Sequence, residues 1–303
     1  RLAATLGWVW KGLGEPETAH DHFRRALDHA VVAHGASDPG TAEVRIGLGS
    51  TLLQLGDLDG ARRQIERAVA DLRERGDDRQ LAAAVDALGR LEGRLGRHAE
   101  SASLHGEALR LWRLDPAGVR PSIAASLSGL AGQYDNLGRD REAIDLTREA
   151  LEMLRDLHGR EHPNVASVLN NLALKVAEAG RIEESVELQR QALEIAERTT
   201  PDDPTVAGKL TNLGKLLLDH GRIGEAAPLI ERADERAREL LPEASIVRLA
   251  CEANAATLAR ERGRFEEARR GYRSVLARLR ELLGDDHHGV ARVRSLLADT
   301  ERL

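Results

Sequence analysis

Apolar residues recur along the chain at the spacing of a helix face, and a glycine follows such a pattern at near-constant intervals: Gly14, Gly56, Gly96, Gly138, Gly180, Gly221 and Gly263. The intervals are 42, 40, 42, 42, 41 and 42 residues. A fixed period of this size indicates a stack of like units instead of one globule. Each repeat is predicted to hold two amphipathic helices of about four turns. The glycine between them ends the first helix in the left-handed conformation without steric cost.

Three more registers hold small residues. Seven places before the glycine stand Gly7, Gly49, Gly89, Ala131, Ala173, Gly214 and Ala256. Five places after it stand Ala19, Ala61, Ser101, Ala143, Ser185, Ala226 and Ala268, and twelve after it Ala26, Ala68, Ala108, Ala150, Ala192, Ala233 and Val275. Leu6, Leu48, Leu88, Leu130, Leu172 and Leu213 lie beside the first register. Large side chains set into small ones let helix backbones approach closely. Helix starts carry their own marks: Asp38-Pro39 and Asp203-Pro204 offer a cap acceptor before a proline, Pro163 and Pro121 are expected to act likewise, and Pro228 should be tolerated near a helix start.

The small residues on either side of a mid-repeat glycine resemble the tetratricopeptide pattern of L-G-x2-Y followed by A-x3-F. Leu6-Gly7 with Trp10, Ala19 with Phe23, and Ala268 with Tyr272 carry the likeness, while Ile65, His105, Thr147, Gln189 and Ile230 stand at the second aromatic position elsewhere. The longer unit resembles the repeats of kinesin light chains and bacterial signalling proteins, most closely through His162–Ala166, Leu169–Ala173 and Gln191–Ile195. HEAT and armadillo arrays share the period but lack the three-position small-residue register. The expected fold is all-α: a right-handed superhelical solenoid of about seven helix-turn-helix repeats, spanning 1–303 as one array. Its repeats are approximately 1–36, 37–78, 79–118, 119–161, 162–202, 203–243 and 244–286, with a polar capping helix at 287–303.

Composition narrows the function. Only seven of the 303 residues are Trp, Tyr or Phe, too few to stack nucleic-acid bases, and a net charge of -6 with both signs interspersed argues against nucleic-acid binding. No apolar run is long enough to span a bilayer, and no tripartite signal opens the chain. A single cysteine cannot form an internal disulfide, which points to a reducing, cytoplasmic setting. Of 44 basic residues only Lys11, Lys175, Lys209 and Lys215 are lysine, a bias suggestive of a GC-rich bacterial genome.

Chemistry is sparse. Cys251 reads as a small buried hydrophobe, and His20, His22 and His29 as a solvated helix face, since a zinc site needs further ligands. Asp285-Asp286-His287-His288 falls in a linker and reads as a helix-entry loop; Gly47-Leu48-Gly49 lacks the third glycine of a dinucleotide fingerprint, and there is no P-loop. No acid/base or nucleophile constellation can be assembled, so the reading is non-catalytic, with no cofactor and no metal.

The resemblance implies that the first helices line a concave surface, on which asparagines contact bound peptide backbones. Nine places before the glycine stand Asn171, Asn212 and Asn254, each able to pair with both the N–H and the C=O of a peptide unit. Asn170, Thr211, Lys215 and Thr257, with Arg90 and Arg94 toward the N-terminus, would supply selectivity. The asparagines are equally suited to bond between repeats and stiffen the stack. The row is absent from the earlier repeats, which hold Thr5, Gly47, Ala87 and Gly129 there. Projected groove charges balance, Arg1, Lys11, Arg90, Arg94, Lys215 and Arg260 against Glu43, Asp86, Asp135, Glu178, Asp219 and Glu261. Lys215 beside Asn212 could begin a carboxylate clamp, Trp10 matches a buried position, and Trp8 suits either the groove or end packing. The expected partner is a protein or peptide, with no nucleic acid and no membrane. Alternatively the array regulates a larger signalling enzyme, a serine/threonine kinase or nucleotide-driven switch, through an intramolecular contact with a domain upstream of Arg1. A peptide-pheromone sensor is a third reading.

Overall fold

The computed structural model describes residues 2–75, 78–114 and 120–303. Arg1 and the expected repeat boundary at 118/119 lie outside these residues. Among the described residues all regular structure is helical. The helices are α1 (Leu2–Gly12), α2 (Pro16–His34), α3 (Pro39–Leu55), α4 (Leu58–Arg75), α5 (Asp78–Arg94), α6 (His98–Leu114), α7 (Arg120–Asn136), α8 (Asp140–His158), α9 (Pro163–Glu178), α10 (Ile182–Thr199), α11 (Thr205–Asp219), α12 (Ile223–Leu240), α13 (Ile246–Glu261), α14 (Phe265–Leu283) and α15 (His288–Glu301). They form two compact units, Arg1–Leu157 and His158–Leu303.

The period of the glycines becomes a period of turns. All seven adopt positive φ, between 69° at Gly138 and 84° at Gly56. In every turn the residue after the glycine donates its N–H to the carbonyl five residues back, as Asp57 does to Leu52 and Arg181 to Val176, satisfying an orphan carbonyl of the first helix. The carbonyl of that same residue then accepts the N–H of the small residue four places on, Asp57 from Ala61 and Arg181 from Ser185, and so starts the second helix.

That small residue is wholly buried in all seven repeats. Where it is serine, its hydroxyl is spent on the facing helix: Ser101 donates to the Gly89 carbonyl and Ser185 to the Ala173 carbonyl, both at 2.6 Å. The residue four positions later is buried in every repeat, from Phe23 to Tyr272, and Phe23, Ile65, His105 and Ile230 press against a glycine of their own first helix. A methyl group at Gly7 would stand 2.9 Å from the Phe23 ring, and one at Gly49 2.5 Å from Ile65.

Helix entries follow the expected chemistry with one shift. Asp38 caps α3 by accepting from the Gly40 N–H at 2.9 Å, and the ring nitrogens of His162 and His287 do the same for α9 and α15. Asp203 accepts from the Thr205 N–H at 2.7 Å, so Pro204 precedes the first turn of α11 instead of opening it. Pro228 sits inside α12 without ending it.

Within the first unit α1, α3, α5 and α7 touch in succession, and within the second α11, α13 and α15 do. In the first unit α2, α4 and α6, and in the second α10, α12 and α14, pack on the first helix before and the first helix after them, and no two successive second helices make comparable contact. First helices thus form a tight inner layer and second helices a looser outer one. Ion pairs bridge the outer layer instead, Arg113 to Glu149 at 2.5 Å and Arg190 to Glu225 at 2.6 Å among them. α15 continues the stack onto α13 and α14, burying Val290 and Val293.

Candidate interaction face

In the second unit the inner layer carries most of the residues singled out from the sequence. Asn212 on α11 donates its Nδ2 to the Asn170 Oδ1 on α9 at 3.1 Å. That bond leaves the Asn170 amide N–H groups and the Asn212 carbonyl oxygen open to solvent, a donor and an acceptor one repeat apart. Asn171 is exposed and makes no hydrogen bond among the described residues. Asn254 is only 8% exposed, and its Nδ2 lies 3.5 Å from the Thr211 carbonyl. Thr211 is buried, donating to the Ala207 carbonyl at 2.7 Å and lying 2.9 Å from the Cys251 Sγ. Burial pushes the Cys251 thiol up, outweighing the Thr211 contact, so this sulfur is a weak nucleophile. Thr257 donates to the Ala253 carbonyl and accepts from the Tyr272 hydroxyl, both at 2.9 Å. Lys215 is tied to Asp219 one turn on. Asn170, Asn171, Asn212 and Lys215 therefore face solvent, whereas Thr211 and Asn254 work between repeats.

Packing explains why two of the earlier repeats hold glycine in place of the asparagine. The large second-helix residue of one repeat reaches the row position of the next: Phe23 lies against Gly47, and His105 lies against Gly129, where an added methyl would stand 2.8 Å from the ring. A bulky ring there requires glycine. In the second unit the corresponding second-helix residues are Gln189 and Ile230, and the row carries Asn212 and Asn254.

Arg90 and Arg94 lie on α5 in the first unit, both exposed. Asp86, read from the sequence as a groove-edge charge, is instead buried at 7% exposure. Its Oδ1 lies 2.9 Å from the His105 Nδ1 and accepts the Ser126 hydroxyl at 2.8 Å, while its other oxygen takes Arg90. Burial raises its pKa, but the His105 hydrogen bond, the nearby positive charges and the Ser126 hydroxyl together hold it below the usual carboxylate value. This network was legible only in part: His105 stands at an aromatic register, and Ser126 follows Asp86 by one repeat length. Trp8 packs edge-on against Phe23 with ring centroids 5.1 Å apart and stays 37% exposed, so it packs on α2 and keeps part of its ring in solvent.

The linker His287 is the cap of α15, and Asp285 pairs with Arg280 and Arg294, so that cluster is the helix entry it resembles. Among the described residues no three His, Cys, Asp or Glu side chains are grouped to hold a metal, and no helix is long and apolar enough to cross a membrane.

Paired helices, a left-handed glycine between them and a small-against-large register define a helical-repeat protein with an inner face of first helices. The tetratricopeptide repeat family model matches residues 9–74, 79–156, 122–198 and 247–303, and the chain belongs to that family. A kinesin light chain structure from P. anserina with nearly identical TPR-like repeats is 23% identical, with 66% of this chain and 95% of that one covered and a TM-score of 0.56. The signal transduction ATPase with a tetratricopeptide repeat sensor from Pyrococcus horikoshii is 13% identical, with 98% of this chain and 44% of that one covered and a TM-score of 0.74. The quorum sensor NprR from B. thuringiensis, in its apo form, is 11% identical, with 99% and 86% covered and a TM-score of 0.64. At such identities the likeness is one of fold. No curated protein matches the chain.

Proposed function

We propose that the chain is a non-catalytic interaction module that holds an extended segment of a partner protein against its inner helix face. Repeats of this family are generally protein-interaction modules. The observation that carries the reading is the pair Asn170 and Asn212, whose mutual bond leaves one donor and one acceptor presented to solvent at repeat spacing. Asn171 and Lys215 flank them, and a peptide backbone offers the complementary groups. Arg90 and Arg94 would extend the recognition surface of the first unit.

The outer layer is the competing surface. Between α10 and α12 it holds an open cleft of about 560 Å³ floored by Leu193, Leu213, Leu217, Pro228 and Leu229. Its rim charges are already paired as Arg190–Glu225 and Arg232–Glu197. A photo-crosslinking residue placed at Asn171 is expected to capture a partner from an extract of the source cells, and the same residue at Glu194 beside the cleft is expected not to. Capture from Glu194 and not from Asn171 overturns the inner-face reading.

A second reading is favoured by one observation. The chain aligns over 98% of its length with 44% of a signalling ATPase that carries a repeat sensor. By that analogy the array is the regulatory region of a larger signalling enzyme, a nucleotide-driven switch or a serine/threonine kinase, touching its catalytic domain. The two readings share the same face.

A further inference from the structure

We propose that the inner face of the first unit is a site for the side-chain carboxylates of an acidic, extended peptide, formed by Lys11, Arg90 and Arg94 with Trp8 beside them. The proposal rests on the inner-face reading above and adds the chemistry of the partner.

The charges projected from the sequence balance in number, yet the fold distributes them unevenly. In the second unit the basic groups have partners of opposite sign: Lys215 is held by Asp219 and Arg260 by Glu261. In the first unit Lys11 and Arg94 have no carboxylate partner among the described residues, and Arg90 shares Asp86, whose remaining capacity is taken by His105 and Ser126. Of the other acids projected there, Glu43 lies in the second turn of α3, far along the helix from the α5 C-terminus, and Asp135 is already engaged.

The repeat register sets the cations on the first helices of one unit. Trp8, Ser50 and Arg90 occupy one register row, six places before their glycines, across α1, α3 and α5. The small, buried Ser50 in the middle leaves room between the outer two. Lys11 lies 5.2 Å above the Trp8 ring. Burial first, and the charge of Arg90 second, lower the Lys11 pKa, so the two cations of α1 and α5 feel each other across α3. Arg94 follows Arg90 by one helical turn on the same side of α5. Lys11 and Arg94 lack a counter-charge and Arg90 has only the shared Asp86, so an anion relieves the repulsion among the three, and the ring face of Trp8 suits an apolar neighbour of that anion.

The test uses the whole chain and two peptides, each blocked at both ends: three Glu-Leu-Gly triplets, and the same peptide with Gln for Glu. Titration followed by fluorescence anisotropy is expected to show the Glu peptide binding about tenfold or more tighter than the Gln peptide. The preference should shrink with added salt. Lys11→Gln and Arg94→Gln should each weaken the Glu peptide by about fivefold, Arg94→Gln with an unchanged melting temperature because its side chain has no partner to lose, and Lys11→Gln with at most a small drop from its lost contact with the Trp8 ring. Lys215→Gln should leave the affinity unaltered. Equal binding of the two peptides, absence of binding by the Glu peptide, or indifference to Lys11→Gln together with Arg94→Gln overturns the proposal. If crosslinking from Asn171 still captures a partner in that event, the inner-face reading stands and only the acidic site falls.

Discussion

At the scale of single residues, the repeat is a contest for volume between one large side chain and the backbone opposite it. Ile65 and Phe23 lie so close to Gly49 and Gly7 that an added methyl has no room. Gly49→Ala is expected to cost about 1–3 kcal/mol by overpacking, read from denaturant unfolding. Gly106, by contrast, lies inside α6 with nothing near its missing side chain, and Gly106→Ala should stabilise by about 0.5–1 kcal/mol in the same assay. The polar exception is His105, whose ring is accepted because Asp86 meets it. Asp86→Asn should destabilise by about 3 kcal/mol, since it leaves that buried pair half satisfied. The folded-state pKa of Asp86 lies below its ordinary value, so its contribution is complete above about pH 4 and is lost as the pH falls through the folded value. The melting temperature of the wild-type chain should therefore drop more between about pH 5 and about pH 3 than that of the variant.

At the scale of the helix pair, the turn glycine and the bonds it permits join the two helices. Gly180 has a φ of 77°, and Gly180→Ala is expected to cost about 1 kcal/mol, although its missing side chain would meet nothing. Strain, not space, is the penalty there, and the same assay separates it from the overpacking at Gly49. Between first helices, the asparagines differ in kind. Asn212→Ala removes an inter-repeat bond and should lower stability by about 1 kcal/mol, whereas Asn171→Ala should leave the melting temperature unchanged and act on binding alone.

At the scale of the whole molecule, contacts run only between neighbours, so each helix is as stable as what flanks it. α1 buries a single residue, Gly7, while α3, α5 and α11 bury nine or more. Hydrogen exchange is expected to be fastest in α1 and α15 and slowest in the interior first helices of each unit. The outer layer gains cohesion from exposed arginine–carboxylate pairs, each contributing about 0.2–1 kcal/mol and screened by salt.

The sequence by itself determined the repeats, their turns and the buried registers, because these depend on local rules: a left-handed residue admits glycine, and close helices admit small side chains. The glycines from Gly14 to Gly263 and the column from Ala19 to Ala268 are therefore legible one letter at a time. What only the tertiary structure decided is which polar side chains are spent. Asp86 looked like a surface charge until His105 and Ser126, 19 and 40 residues away, closed on it. Asn254 and Asn212 share a register, yet one is buried against the Thr211 carbonyl and the other keeps an acceptor in solvent. Likewise a charge count that balances along the chain does not balance in space, since Lys215 has Asp219 one turn away and Lys11 has Arg90 from another repeat. Hydrogen-bond capacity and charge are consumed by neighbours in three dimensions, and those neighbours lie a repeat or two away in sequence.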